Sequence, residues 1–136
     1  MRGLVFAMLI ALLTGCGQVS QSTKQDVAAF AETIRMYNRA FELVSNRGGT
    51  VVYKVEHETH KKHLNLLEKC LDLARDLPDE SLAELHEDLP THYREKFVHG
   101  LDIYISSFEQ EDREAHMQGQ LLMQEFGEWY SQNVHR

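Results

Sequence analysis

Apolar positions recur at three- and four-residue spacing along nearly the whole chain after residue 22. That is the interval at which side chains share one face of an α-helix. Val27, Phe30, Ile34, Tyr37, Phe41 and Val44 trace the first such face, and Gly48-Gly49 supply its stop. The pattern predicts a first helix over about 23–47. A second follows Thr50 and ends at Leu77, before Pro78, although its early Val51-Val52-Tyr53 would also suit a strand. Its Leu64, Leu66, Leu67, Cys70, Leu71, Leu73 and Ala74 cover a wider arc than a simple seam needs. Ser81 and Glu84 have capping-box spacing, which predicts a short acidic helix between Pro78 and Pro90. A third long helix is expected over about 91–109, with Tyr93, Phe97, Leu101, Tyr104 and Phe108 facing inward. Glu109-Gln110-Glu111-Asp112 makes the last turn, with Asp112 as N-cap of a final helix. Ala115, Gly119, Leu122, Phe126 and Trp129 should form that helix's inner face, with fraying near Asn133.

Four amphipathic helices with short links predict an all-α fold: an antiparallel four-helix bundle over 23–136, with a short extra helix between helices 2 and 3. Some apolar residues lie off the seams. Met36, Ala40 and Leu43 make a second stripe on the first helix, and Ile103, Met117 and Leu121 leave the main arcs of later ones. A contiguous stripe containing adaptable methionine suits a partner helix, so Met36, Ala40 and Leu43 are candidate partner-binding residues. A wider core that buries them is the plainer alternative.

Charge narrows the partners. The chain carries a formal −7, and Asp76 to Glu128 holds fourteen acidic residues against three basic ones. Such a surface repels phosphate backbones and argues against nucleic-acid binding.

Candidate chemistry rests on eight histidines. His57 and His60 are one turn apart, and the bundle topology would bring His116 to the same end. His57, His60 and His116 are therefore the candidate ligands of an alternative metal-binding reading, with zinc, copper or nickel as the fitting ions. His57-Glu58-Thr59-His60 is one residue short of the zinc-protease pattern, so solvated polar-face histidines, with His60 half-buried in the seam, are the simpler expectation. Phe97-Val98-His99-Gly100-Leu101-Asp102-Ile103 is similar to a short stretch in the periplasmic b-type four-helix cytochromes. That family takes an axial Met near the start of its first helix and an axial His near the end of its last. Here 23–33 contain no Met, and Ser131 follows Tyr130 where the histidine would fall, so no haem or other cofactor is expected. With no nucleophile elbow and no phosphate-cradling glycine loop, no enzyme is expected either.

The N-terminus supplies an address. Met1-Arg2-Gly3, an apolar run from Leu4 to Leu13 and the ending Leu13-Thr14-Gly15-Cys16 have the layout of a secretory signal. The Leu-Thr-Gly-Cys ending resembles the lipobox of bacterial lipoproteins. That resemblance implies cleavage after residue 15, lipidation of Cys16 and a mature chain of 121 residues with a formal charge of −8. An ordinary secretory signal with an incidental cysteine is the alternative. Two or more acyl chains give a stable anchor. Residues 16–22 would then be the lipidated cysteine and a tether of at most about 20 Å. It would hold the bundle end with Leu77, Thr91 and Asn133 near the membrane. Gly17 after the cysteine, where that class marks inner-membrane retention with Asp, implies the periplasmic side of an outer membrane. A Gram-positive cell surface is the other address. The expected function is a lipid-anchored envelope protein that acts through protein–protein contact, with self-association compatible. Cys70 is then alone, and its apolar helical neighbours predict burial.

Overall fold

The computed structural model describes residues 21–45 and 58–134, without the side chains of residues 21–23. The signal segment, Cys16, the Gly48-Gly49 stop, Val51-Val52-Tyr53 and His57 lie outside the described residues. The described chain is all-α, with no strand among these residues, and forms an antiparallel four-helix bundle with one short extra helix. Helix α1 is Gln21–Ser45, α2 Glu58–Arg75 and the short α3 Asp79–Leu85. Leu89–His92, Tyr93–Val98 and His99–Gln110 follow without interruption and form α4, its middle stretch wound as π-helix; α5 is Arg113–Asn133.

Cross-helix pairs give the topology. On α1 and α2, Thr33 and Ala40 meet Cys70 and His63 respectively, so one sequence rises as the other falls. Tyr93 and Tyr104 of α4 reach Ala74 and His63 of α2, again antiparallel. Lys96 and Ser107 of α4 meet Glu125 and His116 of α5. Phe30 and Tyr130 close the ring between α1 and α5, their centroids 5.8 Å apart. One end of the bundle therefore gathers the start of α1, the end of α2, α3, the start of α4 and the end of α5. The other gathers Ser45, Glu58 and the α4–α5 turn.

Aromatic rings fill the core between these helices. Phe30, Tyr93, Phe97, Tyr104, Phe108, Phe126 and Tyr130 are all buried, several in tilted or edge-on pairs that suit their quadrupoles. Two glycines set the distance between α4 and α5. A methyl group added at Gly119 would lie 2.7 Å from the Gly100 carbonyl oxygen and 2.8 Å from the Tyr104 nitrogen, so backbone touches backbone there. This close crossing also fixes the rotation of α5. Its buried line is His116, Gly119, Met123, Phe126 and Tyr130, while Ala115, Leu122 and Trp129 are only half-buried. The inner face expected from periodicity is thus turned by one residue at three of five positions.

The α4–α5 turn has the expected form. Glu111 ends α4 in the left-handed region at φ 49°, and the Asp112 carboxylate accepts the Ala115 N–H at 3.0 Å as N-cap. At the α3 end the expected cap is absent. The acidic helix exists, but it starts at Asp79 behind Pro78 without a side-chain cap, and the Ser81 hydroxyl donates across to the Asp26 carboxylate of α1.

Arg94 ties this end together. Its guanidinium donates to the carbonyls of Ala74, Arg75 and Leu77, which lie at and just beyond the end of α2, and to the Asp79 carboxylate at 2.9 Å. The last carbonyls of a helix have no partner within it, and a cation there also meets the negative end of the macrodipole. The Tyr93 hydroxyl donates to the same Ala74 carbonyl at 3.1 Å. The wider π turn lets two consecutive residues reach one carbonyl of a neighbouring helix.

Candidate functional site

The polar centre of the molecule lies at the opposite end. His63 on α2 is 0 % exposed and His116 on α5 is 2 % exposed, with Tyr104 of α4 between them. His63 Nδ1 lies 2.6 Å from the Ala40 carbonyl oxygen, which can only accept, so that nitrogen carries the proton. Its Nε2 is then an acceptor and takes the Tyr104 hydroxyl at 2.9 Å. One neutral tautomer thus links α1, α2 and α4. The His116 ring tilts over the Tyr104 ring with centroids 4.4 Å apart, and its Nδ1 lies 3.3 Å from the Ser107 hydroxyl. Ser107 donates to the Tyr104 carbonyl at 2.6 Å, so its oxygen accepts from His116. A histidine that donates to a serine is not deprotonating it. This buried pair is a structural link rather than a nucleophile and its base.

Phe41 and Phe108 close the layer, with centroids 5.1 Å from His63 and 5.1 Å from His116 respectively. Burial in these hydrocarbon walls pushes His63 down to about 4, against a smaller opposing effect of the Ala40 hydrogen bond and with added repulsion from His60. Burial likewise pushes His116 down to about 4, helped by repulsion from His63. Both imidazoles are neutral at pH 7.

Of the candidate metal ligands, His60 and His116 are among the described residues. His57 lies outside the described residues, His60 is half-buried on α2, and His116 is turned into the core with Nδ1 engaged on Ser107. No cluster of three or more His, Cys, Asp or Glu side chains among the described residues is placed to hold a metal ion. The simpler expectation of solvated histidines is also corrected for His63 and His116. Cys70 is buried, donates to the Thr33 carbonyl at 3.4 Å, and has its thiol pushed up to about 12 by burial. It is a packing residue rather than a reactive one.

The partner-binding stripe needs a correction too. Ala40 is 0 % exposed and Met36 packs half-buried against the core, while Leu43 is half-buried. The reason is geometric. The aromatic seam of α1 faces α4 and α5, and α2 packs on the adjacent flank, where the small Ala40 lets the His63 ring reach its carbonyl. The exposed large apolar residues among those described are Leu73, Met117 and Leu121. Met117 and Leu121 are each 55 % exposed and stand one turn apart on the outer face of α5.

A groove of about 240 Å³ runs between α2 and α4, lined by Lys61, Leu64, Asn65, Glu68, Ile105, Phe108 and Glu109. It falls short of the roughly 300–1,000 Å³ typical of sites that enclose a small ligand. At the far end, the Trp129 ring stacks on His92 at 3.9 Å and meets His86 edge-on at 5.3 Å. No helix among the described residues is long and apolar enough to cross a membrane.

Sequence periodicity missed His63, Met123 and Tyr130 as core residues. A signal existed for the first: His63, Leu67, Cys70, Ala74 and Leu77 run at helical spacing, and all five are buried. Searches against protein-family models, curated proteins and solved structures return no match for this chain.

Proposed function

We propose that this protein is a lipid-anchored accessory of the bacterial cell envelope that acts by binding another protein. The anchor rests on Leu13-Thr14-Gly15-Cys16 and the apolar run before it. The observation that carries the binding role is the Met117–Leu121 face. Two large apolar side chains, each more than half exposed and one turn apart, sit on a helix whose other face is fully packed. Adaptable Met beside Leu suits the apolar core of a helix-on-helix contact. With Cys16 holding the start of α1 close to the lipid, the start of α5, and Met117 with it, points away from that membrane.

Two measurements test the two halves. Replacing Cys16→Ser should abolish acyl-chain labelling and release the protein from the membrane fraction; continued labelling of that variant sinks the anchor. A photo-crosslinking residue at position 121 should give a discrete adduct with one envelope protein. The same residue at position 73 on α2 should not. Equal adducts from both positions would show that the α5 face is not the contact.

A further inference from the structure

We propose that the His63–Tyr104–His116 layer is an acid-operated latch: while both imidazoles are neutral it holds closed the end of the bundle that carries the α4–α5 turn, and proton uptake opens that end while the opposite end stays shut.

The layer is where all four long helices meet through polar atoms and rings. Helix α1 presents the Ala40 carbonyl and the Phe41 ring, with no ionisable side chain among these contacts; α2 presents His63, with His60 one turn before it. Helix α4 presents Tyr104, Ser107 and Phe108, and α5 presents His116. Among the described residues, His60 repels charge on His63, and His63 repels charge on His116. The nearby acids of the turn, Glu109, Glu111, Asp112 and Glu114, are exposed to water. Protonating this layer therefore places like charges on neighbouring rings in an apolar enclosure.

A proton taken from water by His63 goes to Nε2, the nitrogen that accepts the Tyr104 hydroxyl. Nε2 can then only donate, so that hydrogen bond must break, or reverse and send the Tyr104 proton to another acceptor, just as the ring becomes charged in an apolar enclosure. At the other end Arg94, which keeps its charge at every accessible pH, grips backbone carbonyls that do not titrate, and the Asp26 and Asp79 carboxylates and the His86 and His92 rings there are half-buried or exposed rather than enclosed. The response is therefore strongest at the end where the imidazoles are fully buried. Phe108 packs on His116 and also lines the α2–α4 groove, so the same proton reshapes that groove.

The sign follows from linkage. Both histidines have folded values near 4, below the ordinary 6.5 that they regain when exposed. The open form therefore binds more protons between those values. The latch is fully effective above pH 6.5 and is lost as pH falls from there toward 4. One pH unit below 6.5, each histidine shifts the opening equilibrium about tenfold and the pair about a hundredfold.

Hydrogen exchange on the full chain, corrected for the intrinsic pH dependence of exchange, reads this directly. Between neutral pH and about pH 5.5, amides around His63 and around Ser107–His116 should lose protection by one to two orders of magnitude, while those around Ala74 and Tyr93 keep theirs. The pair His63→Gln with His116→Asn preserves amide donors and acceptors without a titrating ring, and should abolish the acid response. Three results would overturn the proposal: no loss of protection, equal loss at both ends, or an unchanged acid response in the double variant. Should that variant not fold, imidazole titration of the wild-type chain by NMR decides. His63 and His116 titrating near 6.5 would refute the latch, and values well below 6 would support it.

Discussion

The two ends of this bundle are held by different chemistry. At the end where α2 stops, a permanently charged guanidinium donates to backbone carbonyls, and α3 is pinned to α1 through Ser81 and Asp26. At the other end two neutral imidazoles, a phenol and a serine, all four side chains buried, join the helices. The first arrangement tolerates charge because the Arg94 side chain lies at a helix terminus and is 31 % exposed. The second depends on the absence of charge. One fold thus carries a joint built on a permanent charge and a joint that depends on neutral imidazoles, and the Gly100–Gly119 crossing of α4 and α5 lies between them.

That crossing is where the comparison breaks most easily. Gly119→Val introduces branched atoms where even a methyl group would lie 2.7 Å from the Gly100 carbonyl oxygen and 2.9 Å from the Tyr104 Cβ. Backbone cannot yield as a flexible side chain would, so α4 and α5 must separate and carry Tyr104 away from His63. Overpacking of this kind costs about 1–3 kcal/mol or somewhat more. Denaturant unfolding should show the full loss, with weaker protection around His63 than around Ala74 already at neutral pH. A variant as stable as the wild type would mean that the helices do not meet so closely.

The Arg94 joint comes next. Arg94→Met keeps most of the aliphatic stem and leaves the Ala74, Arg75 and Leu77 carbonyls without their cation. Leaving partly buried acceptors unsatisfied costs about 1–3 kcal/mol, toward the lower end here because water reaches the site. The loss should be the same at pH 7.5 and pH 6, because guanidinium stays charged throughout. Arg94→Lys should recover only part of it, since one ammonium cannot span three carbonyls and the Asp79 carboxylate together. A loss that grows steeply on acidification would erase the distinction between the ends.

How far the sequence foretold each end depends on which signal it used. The Asp112 cap and the turn at Glu109–Asp112 were legible because they are local: an acceptor side chain at the right offset before an apolar repeat. The aromatic faces of α1 and α4 and the Leu67–Cys70–Leu71–Ala74 line of α2 were legible from periodicity alone, although Leu73 of the same expected arc is exposed. His63 and His116 were not, because polar residues are placed on the solvent side by default, and only a partner on another helix reverses that. Ala40 is the same case. Its burial depends on α2 choosing the flank of α1 beside the aromatic seam, which no window of α1 contains. Met123 and Tyr130 fell out of the expected core because the glycine crossing turns α5 by one position. The π turn in α4 and the three-carbonyl grip of Arg94 leave no local pattern that periodicity would detect.

The smallest expected effect on stability separates binding from folding. Met117 and Leu121 are each 55 % exposed, so Met117→Glu with Leu121→Glu places two carboxylates in water on a helix that accommodates glutamate well. Each should change stability by no more than about 0.5 kcal/mol, and the melt should hardly move. The matching pair on α1, Met36→Glu with Leu43→Glu, should behave differently. Met36 packs half-buried against the core, so charge there must displace its neighbours or pull the helix outward, and the midpoint should fall. If both double variants melt like the wild type, the α1 stripe is as exposed as the α5 face. If the α5 variant folds but gives no crosslink from a reporter at position 120, the Met117–Leu121 face carries the contact. A folded α5 variant that retains the crosslink would move the contact to the groove between α2 and α4. There Glu68 and Glu109 stand on the rim, and raised salt should weaken the attraction of a basic partner.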